Sequence, residues 1–225
     1  MLTHIIPQIF QSKSLVNRRS IKNFINHFSK GDNWHELDID KANLGYGWIH
    51  YSLIRLLKPK RVLCVGSRYG FIPAICALAC KDNQQGIVDF VDAGYSQNSV
   101  ADKKRHWGGV GFWRENNVKK HFAKYGLDSY IRMNVMTSQD FKKKFPKREW
   151  GYIYLDGDHS YKGIKEDFNN FWPSLLTGGF ISFHDTQTNL ENDLDYGVDK
   201  FWQELKKKYP AFEFPGSNGL GVVQK

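Results

Sequence analysis

Cysteine is scarce in this sequence. Cys64, Cys76 and Cys80 are the three in 225 residues, too few for a disulfide framework, which points to a reducing compartment, the cytoplasm. Cys64 falls inside an apolar run. Cys76 and Cys80 are four apart on a helix-like stretch and share a face, without the further ligands a zinc site needs. No apolar run approaches the ~20 residues that span a bilayer. The opening MLTHIIPQIFQSKSLVNRRS has a short apolar patch but no basic stretch ahead of a long one, so no signal peptide is expected. Internal repeats and low-complexity linkers are missing. So is the alternation of arginine with aromatics that marks an RNA-binding strand.

What is present describes a folded chain. A hydrophobic share of 41% and an aromatic share of 15% suit a globular protein large enough to bury a core. The net charge of +9 admits nucleic acid, an anionic membrane surface or an acidic substrate as partner. The basic residues come in short runs: Lys103, Lys104 and Arg105; Lys119 and Lys120; Lys142, Lys143 and Lys144; Lys206, Lys207 and Lys208. Three of these fall on helix-like segments with apolar residues between them, as solvated helix faces do.

Periodicity supplies the element order. Leu15, Ile21, Phe24, Ile25 and Phe28 recur at helical spacing before Gly31, and YGWIHYSLIRLL reads as a second helix ended by Pro59. From there strands and helices alternate: RVLCV, FIPAICALAC, GIVDFVD, NNVKKHFAKYGL, SYIRMNVM, SQDFKKKF with Ser138 as expected cap, WGYIYLD, YKGIKEDFNNFWPSLL, GGFISFHD and GVDKFWQELKKKY. Such alternation predicts an α/β, Rossmann-like parallel sheet with helices on both faces. The last two strands, FEF and LGVVQK, are joined by a short turn that allows no crossover, so they should pair antiparallel.

Ligands of open α/β sheets sit at the carboxyl ends of the strands. The first strand ends in GSRYGF, where Gly66 and Gly70 flank a turn into a helix. It is not a phosphate loop, because no Lys-Ser/Thr pair follows. The second strand ends in Asp92, 22 residues beyond Gly70, where an acid can accept hydrogen bonds from both hydroxyls of a ribose.

Together, RVLCVGSRYG, VDFVDAG, YIYLDGDHSYKGIKEDF and LLTGGFISFHD resemble a class I S-adenosylmethionine-dependent methyltransferase. DGDHSY with GGFISFHD resembles the branch that holds sugar and antibiotic O-methyltransferases. The resemblance runs from about Gly45 onward. It implies a seven-stranded sheet in the order 3-2-1-4-5-7-6 with strand 7 antiparallel, a methyltransferase domain over 41–225 and an N-terminal helical extension over 1–40. It implies that Gly66, Ser67, Gly70 and Phe71 line the methionine part of the cofactor, that Asp92 holds the ribose, and that Met136 and Thr137 meet the adenine. Asp156 would lie near the methionine amino group or a metal, and Tyr46 and Gly47 would cover the cofactor. Three places depart from the family pattern: Cys64, where an acid is usual, Arg68, where a glycine is, and MTS after the third strand, where an Asp is usual.

Two strand ends carry the reaction chemistry. Asp156, Asp158 and His159 stand on one, His184 and Asp185 on the other, and neighbouring strands are only ~4.8 Å apart. An alcohol is a poor nucleophile at neutral pH, so its transfer chemistry gains from a base or from a metal. Asp156 and Asp185 could hold Mg²⁺ or, with the histidines, a transition metal. Alternatively, Asp158, His159 or His184 serves the proton transfer with no metal. A third reading makes Asp158 and His159 a capped turn.

The long loop over 93–113 reads as a substrate loop. In it, Trp107, Phe112 and Trp113 could stack on a ring, and His106 with its basic neighbours could meet an anion. TQTNLENDLDYG, after Asp185, is a second loop near the acceptor. The expected function is O-methylation of a small-molecule or glycan hydroxyl. An RNA methyltransferase, suggested by the charge, and a non-catalytic binding protein that keeps the fold, suggested by Cys64 and Arg68, are the alternatives. The partner expected is a small-molecule or sugar acceptor, with a homodimer left open and nucleic acid disfavoured.

Overall fold

The computed structural model describes residues 17–96, 109–114, 118–187 and 196–225. Leu15, the basic run at 103–105, His106, Trp107 and residues 188–195 lie outside the described residues. Seven strands form one sheet: β1 Arg61–Val65, β2 Ile87–Asp92, β3 Ile131–Val135, β4 Trp150–Leu155, β5 Leu175–His184, β6 Ala211–Phe214 and β7 Leu220–Gln224. Their order is β3-β2-β1-β4-β5-β7-β6. β7 runs antiparallel to both β5 and β6, while β1 to β5 pair parallel. The helices are α1 Arg18–Ser29, α2 Gly47–Leu57, α3 Phe71–Asp82, α4 Lys119–Ala123, α5 Ser138–Lys144, α6 Tyr161–Phe171 and α7 Val198–Leu205.

The central strands are covered on both faces, which is why they read as unbroken apolar runs. Alternate residues leave the sheet on opposite sides. Val62, Cys64, Tyr152 and Tyr154 enter the core beneath α1, α2, α3 and α4. Leu63, Val65, Ile153 and Leu155 enter the core under α5, α6 and α7. A charge lies inside the sheet at β2. Asp89 on β2 is fully buried and receives Arg148 at 3.0 Å, Arg61 at 3.3 Å and Trp150 Nε1 at 3.0 Å. A buried carboxylate persists only when paired and hydrogen-bonded in this way.

The first helix belongs to the main core. Asn17 caps it by accepting a hydrogen bond from the Ser20 amide. Its buried stripe of Ile21, Phe24, Ile25 and Phe28 packs with residues of α3 and β1. Phe28 also stacks on Phe122 of α4. Next to it, His27 Nε2 donates to the His121 carbonyl and His121 Nε2 donates to the Tyr69 carbonyl, each at 2.9 Å.

Three local expectations shift. The cap of α5 is Thr137, whose hydroxyl accepts from the Asp140 amide, and Ser138 instead donates to Asp167 at 2.5 Å. Leu175 and Leu176, expected in a helix, begin β5, because Pro173 stops the helical path after a 3-10 turn at Trp172–Ser174. The last helix ends at Leu205, short of the lysine run. Phe24 and Phe28, Trp113 and Phe122, and Phe168 and Trp172 show how the aromatic share is spent, in tilted and stacked pairs within the cores.

Two buried histidines draw stability from the fold as pH falls. Burial lowers the pKa of His50, whose Nδ1 lies 2.6 Å from the Tyr152 hydroxyl, to about 3. Burial lowers that of His121 to about 4. Both rings are neutral when folded and take protons at the ordinary value of 6.5 once unfolded. At these two groups the unfolded chain thus binds more protons below that value, and their contribution to stability falls as pH drops through it. Denaturant unfolding at about pH 7.5 and about pH 5 measures this when the parent is compared with His121→Asn, because other buried groups, Asp92, Asp167 and His184, are shifted in the opposite direction. On going from the higher to the lower pH, His121→Asn should lose less stability, or gain more, than the parent, and an identical change in the two proteins would refute the assignment for His121.

Candidate active site

The cofactor end is built where β1 and β2 finish. Gly66 has φ 77°, and a Cβ there would lie 2.0 Å from the Asp156 carbonyl oxygen. A side chain is therefore excluded, and the end of β1 can press against the end of β4. Asp92 receives the Ser67 amide at 3.0 Å on one oxygen and the Gly94 amide at 2.7 Å on the other. Burial raises its pKa to about 6, against the pull of those two amides. Each oxygen keeps a lone pair for a further donor. The Ser67 hydroxyl accepts from the Gly70 amide, and Trp113 Nε1 donates to the Ser67 carbonyl at 2.7 Å. Trp113 is thus a buried brace of this loop. Phe112 lines the cavity beside it, against Tyr69.

From this loop a cavity of about 680 Å³ extends along the strand ends, a size suited to a small-molecule ligand. Gly66, Ser67, Asp92, Met136 and Thr137 line one part of it, and Asp156, His159, His184 and Asp185 another. Trp34, Asp167 and Tyr196 also face it.

The second part is a tight set of two carboxylates and two imidazoles. His159 Nε2 is 3.4 Å from Asp156 and its Nδ1 is 3.5 Å from Asp185. His184 Nδ1 is 3.4 Å from Asp156 and 3.3 Å from Asp185. Tyr154 donates its hydroxyl to the other Asp156 oxygen at 2.8 Å. Burial works against charge on His184, but the two carboxylates outweigh it and raise its pKa to about 10. His159 is raised for the same reasons. Asp156 and Asp185 are buried too, yet the imidazoliums hold both well below the usual carboxylate range. Opposite charge defeats desolvation throughout the set. Asp185 adopts φ 65°, an uncommon conformation for a side-chain-bearing residue at the point where β5 ends.

Not every expected residue joins the cluster. Asp158 lines the cavity but is engaged in the turn before α6: its Oδ1 accepts the Ser160 amide at 2.9 Å and Ser160 caps the helix, so the capped-turn reading describes Asp158 while His159 joins the cluster. Tyr46 is buried with its hydroxyl donated to the carbonyls of Phe214 and Gly216, away from the cavity wall. Phe71 is buried in the helical core, and Gly70 is packed against the Trp113 and Phe122 rings. Gly47 faces Phe71 and Ile75. The Thr137 hydroxyl is engaged in its cap, although the residue still lines the cavity.

His35 was not legible in advance. It stands in NWHEL, a stretch with no periodicity, yet its ring lies 4.2 Å from that of His184. It is buried at 8% exposure, and burial lowers its pKa to about 3. Arg68 also finds a role here: it pairs with Asp32 at 3.4 Å and ties the cofactor loop to the same N-terminal segment.

The sheet order and a ligand cavity across the strand ends define a class I methyltransferase architecture. The chain belongs to the family described as "Methyltransferase domain", which matches residues 63–186. The fold is similar to that of the O-methyltransferase TomG from Streptomyces achromogenes, with a TM-score of 0.62 at 13% identity over 96% of this chain and 94% of that one. It is similar also to an O-methyltransferase from Bacillus cereus, with a TM-score of 0.63 at 12% identity over 95% of this chain and 94% of that one. Among curated proteins, the uncharacterized protein y4gI of Sinorhizobium fredii (strain NBRC 101917 / NGR234) is 26% identical over 192 residues. That match takes in 84% of this chain and 20% of the relative, so the chain spans about a fifth of the length of that protein. Among the described residues no helix is long and apolar enough to cross a membrane.

The clearance at Gly66 can be tested directly. Gly66→Ala must place a Cβ against the Asp156 backbone at a positive φ. A left-handed conformation alone costs about 1–2 kcal/mol, so denaturant unfolding should show a loss of at least about 2 kcal/mol once the clash is added.

Proposed function

We propose that the chain transfers the methyl group of S-adenosylmethionine to a hydroxyl of a small molecule or glycan. The observation that carries this is Asp92: a buried carboxylate at the end of β2, raised toward neutrality, with both oxygens fixed by amides and a lone pair of each available to the cavity. Such a group suits the two hydroxyls of a ribose. The TomG structure is a complex with SAM and the Bacillus cereus structure a complex with SAH, which supports the same cofactor here. Gly66 and Ser67 would flank the methionine part, and Met136 and Thr137 the adenine.

S-Adenosylmethionine, when bound, supplies an electrophilic methyl on a sulfonium. The acceptor oxygen must lose its proton as it attacks, and the sulfur departs as a neutral thioether. His159 is the more exposed of the two imidazoles, at 21% against 5% for His184, but the carboxylates hold both charged, so His159 would relay the proton, passing one of its own N–H protons to a carboxylate as it accepts the acceptor's. Asp156 and Asp185 orient it from its two nitrogens. The same two carboxylates, on adjacent strand ends, fit a divalent cation, which would lower the acceptor hydroxyl's pKa. Residues 17–40 would act as part of this domain, because His35 and Trp34 face the cavity. Cys64, Cys76 and Cys80 are free and buried, which supports a reducing, cytoplasmic setting.

Calorimetry with S-adenosylmethionine tests the cofactor, and methyl transfer from the labelled cofactor to a panel of hydroxylated small molecules and glycans tests the reaction. Binding should occur and should weaken about ten- to a hundred-fold in Asp92→Asn, as expected for loss of a charge-assisted hydrogen bond. No binding at millimolar cofactor would end this reading. Asp156→Asn with Asp185→Asn should abolish any thermal shift produced by a divalent cation in the parent protein.

A further inference from the structure

We infer that His35 is a metal ligand, and that with His184 and Asp156 it makes the cation site of this chain one for a nitrogen-seeking transition metal. The inference rests on the reading of Asp156 and Asp185 as cation ligands and adds the residue that decides which cation they take.

One nitrogen of His35, one of His184 and one carboxylate oxygen of Asp156 lie within 4.8 Å of one another. A second set, Asp156, His159 and Asp185, meets the same condition and shares Asp156. The two sets surround one part of the cavity wall and bring three imidazoles and two carboxylates together.

The first set carries unmet bonding. His35 Nδ1 and His184 Nε2 are both buried and have no hydrogen-bond partner among the described residues. Their residues are 8% and 5% exposed. Buried polar atoms are almost always paired, and one left without a partner is destabilising. Two such atoms on touching rings, beside a carboxylate, are what a site for an ion leaves when the ion is taken away. His184 directs its other nitrogen, Nδ1, to Asp185 at 3.3 Å, the carboxylate contact that orients a ligating imidazole.

The backbone holds His35 in place at a cost. Its φ is 70° and that of Glu36 is 58°, two successive left-handed residues with side chains. The His35 carbonyl accepts the Tyr46 amide at 2.8 Å, and a Cβ on Gly45 would lie 2.0 Å from that same oxygen. Strained residues of this kind persist where the surroundings over-determine them, and they cluster at functional sites. A ring that only filled space would not need them.

Donor chemistry then sets the choice of ion. Oxygen ligands alone suit Mg²⁺, which rarely leaves its water for imidazole. Imidazole suits the later first-row ions, and two histidines with one carboxylate are a recurrent donor set for them. Because one of these histidines comes from the segment before α2, far in sequence from the two strand ends, the ion would also fasten that segment to the sheet.

The test uses Co²⁺ and Mg²⁺ on the metal-free full-length chain, followed by calorimetry and by the visible absorption of bound Co²⁺. Co²⁺ should bind at least tenfold more tightly than Mg²⁺. His35→Gln should weaken Co²⁺ at least tenfold and alter its visible spectrum, with far-UV circular dichroism and S-adenosylmethionine binding retained. His35→Cys should add a thiolate-to-cobalt charge-transfer band. Unchanged Co²⁺ affinity and spectrum in a folded His35→Gln protein would overturn the inference, as would a folded His35→Cys protein that binds Co²⁺ without the new band. If neither variant folds, the parent decides: Mg²⁺ bound as tightly as Co²⁺ refutes it. Loss of Co²⁺ binding in Asp156→Asn with Asp185→Asn reports on the carboxylate pair, and S-adenosylmethionine binding reports on Asp92, so the three readings fail separately.

Discussion

The whole site depends on how closely the end of β1 can approach the end of β4. Gly66 turns away at positive φ within 2.0 Å, measured from its absent Cβ, of the Asp156 carbonyl. The Asp156 amide in turn donates to the Val65 carbonyl at 2.8 Å. This contact sets two things at once. It brings the Ser67 amide to Asp92 on the β2 side, and it fixes the start of the turn that delivers His159 on the β4 side. A side chain at this position would separate the two halves of the cavity. The same economy holds on the other flank, where β5 pairs with β4 in parallel through Leu155 and Phe183 and so carries His184 and Asp185 to Asp156.

Charge is the second organising term. Four ionisable groups share a region largely shut off from water, and each alone would pay heavily to be there. Together they alternate in sign, so every carboxylate meets two imidazoles and every imidazole two carboxylates. The arrangement is stable as an ion cluster without a ligand, yet its carboxylates are also in place to exchange a proton-bearing neighbour for a cation. At the far end Asp92 has the opposite character. Burial raises its pKa, outweighing the amides that hold it and the charge of Arg114, which pull it down. The proposed cofactor would relieve that end through its hydroxyls, and the proposed ion would relieve the other.

The sheet could be read from the sequence because it rests on short-range signals: apolar runs such as VLCV, glycine at the strand ends, and a turn too short for a crossover before LGVVQ. Asp92, Asp156, His159, His184 and Asp185 were legible for the same reason, since each sits directly at a strand end that periodicity locates. Tyr46 and Phe71 were placed by resemblance, and the structure spends them on packing because their own neighbours decide where they point. His35 could not be found in this way. It reaches the site through a turn with no pattern, and what places it is the contact of its backbone with Gly45 and Tyr46. Arg68 looked like a departure that weakens the cofactor loop. Its partner Asp32 lies 36 residues earlier, a distance across which sequence patterns carry no information.

β7 lies between β5 and β6 although it follows both in the chain. As the polypeptide leaves the ribosome, β5 therefore offers an open hydrogen-bonding edge until residues 220–224 emerge. Ile181 and Phe183 sit on that strand and are fully or almost fully buried at the end. An unpaired apolar edge is a template for pairing with another nascent chain. Synthesis thus passes through an interval in which the strand that carries His184 and Asp185 is also the one most open to aggregation. That exposure closes with an insertion between two strands already made rather than with an addition at the rim.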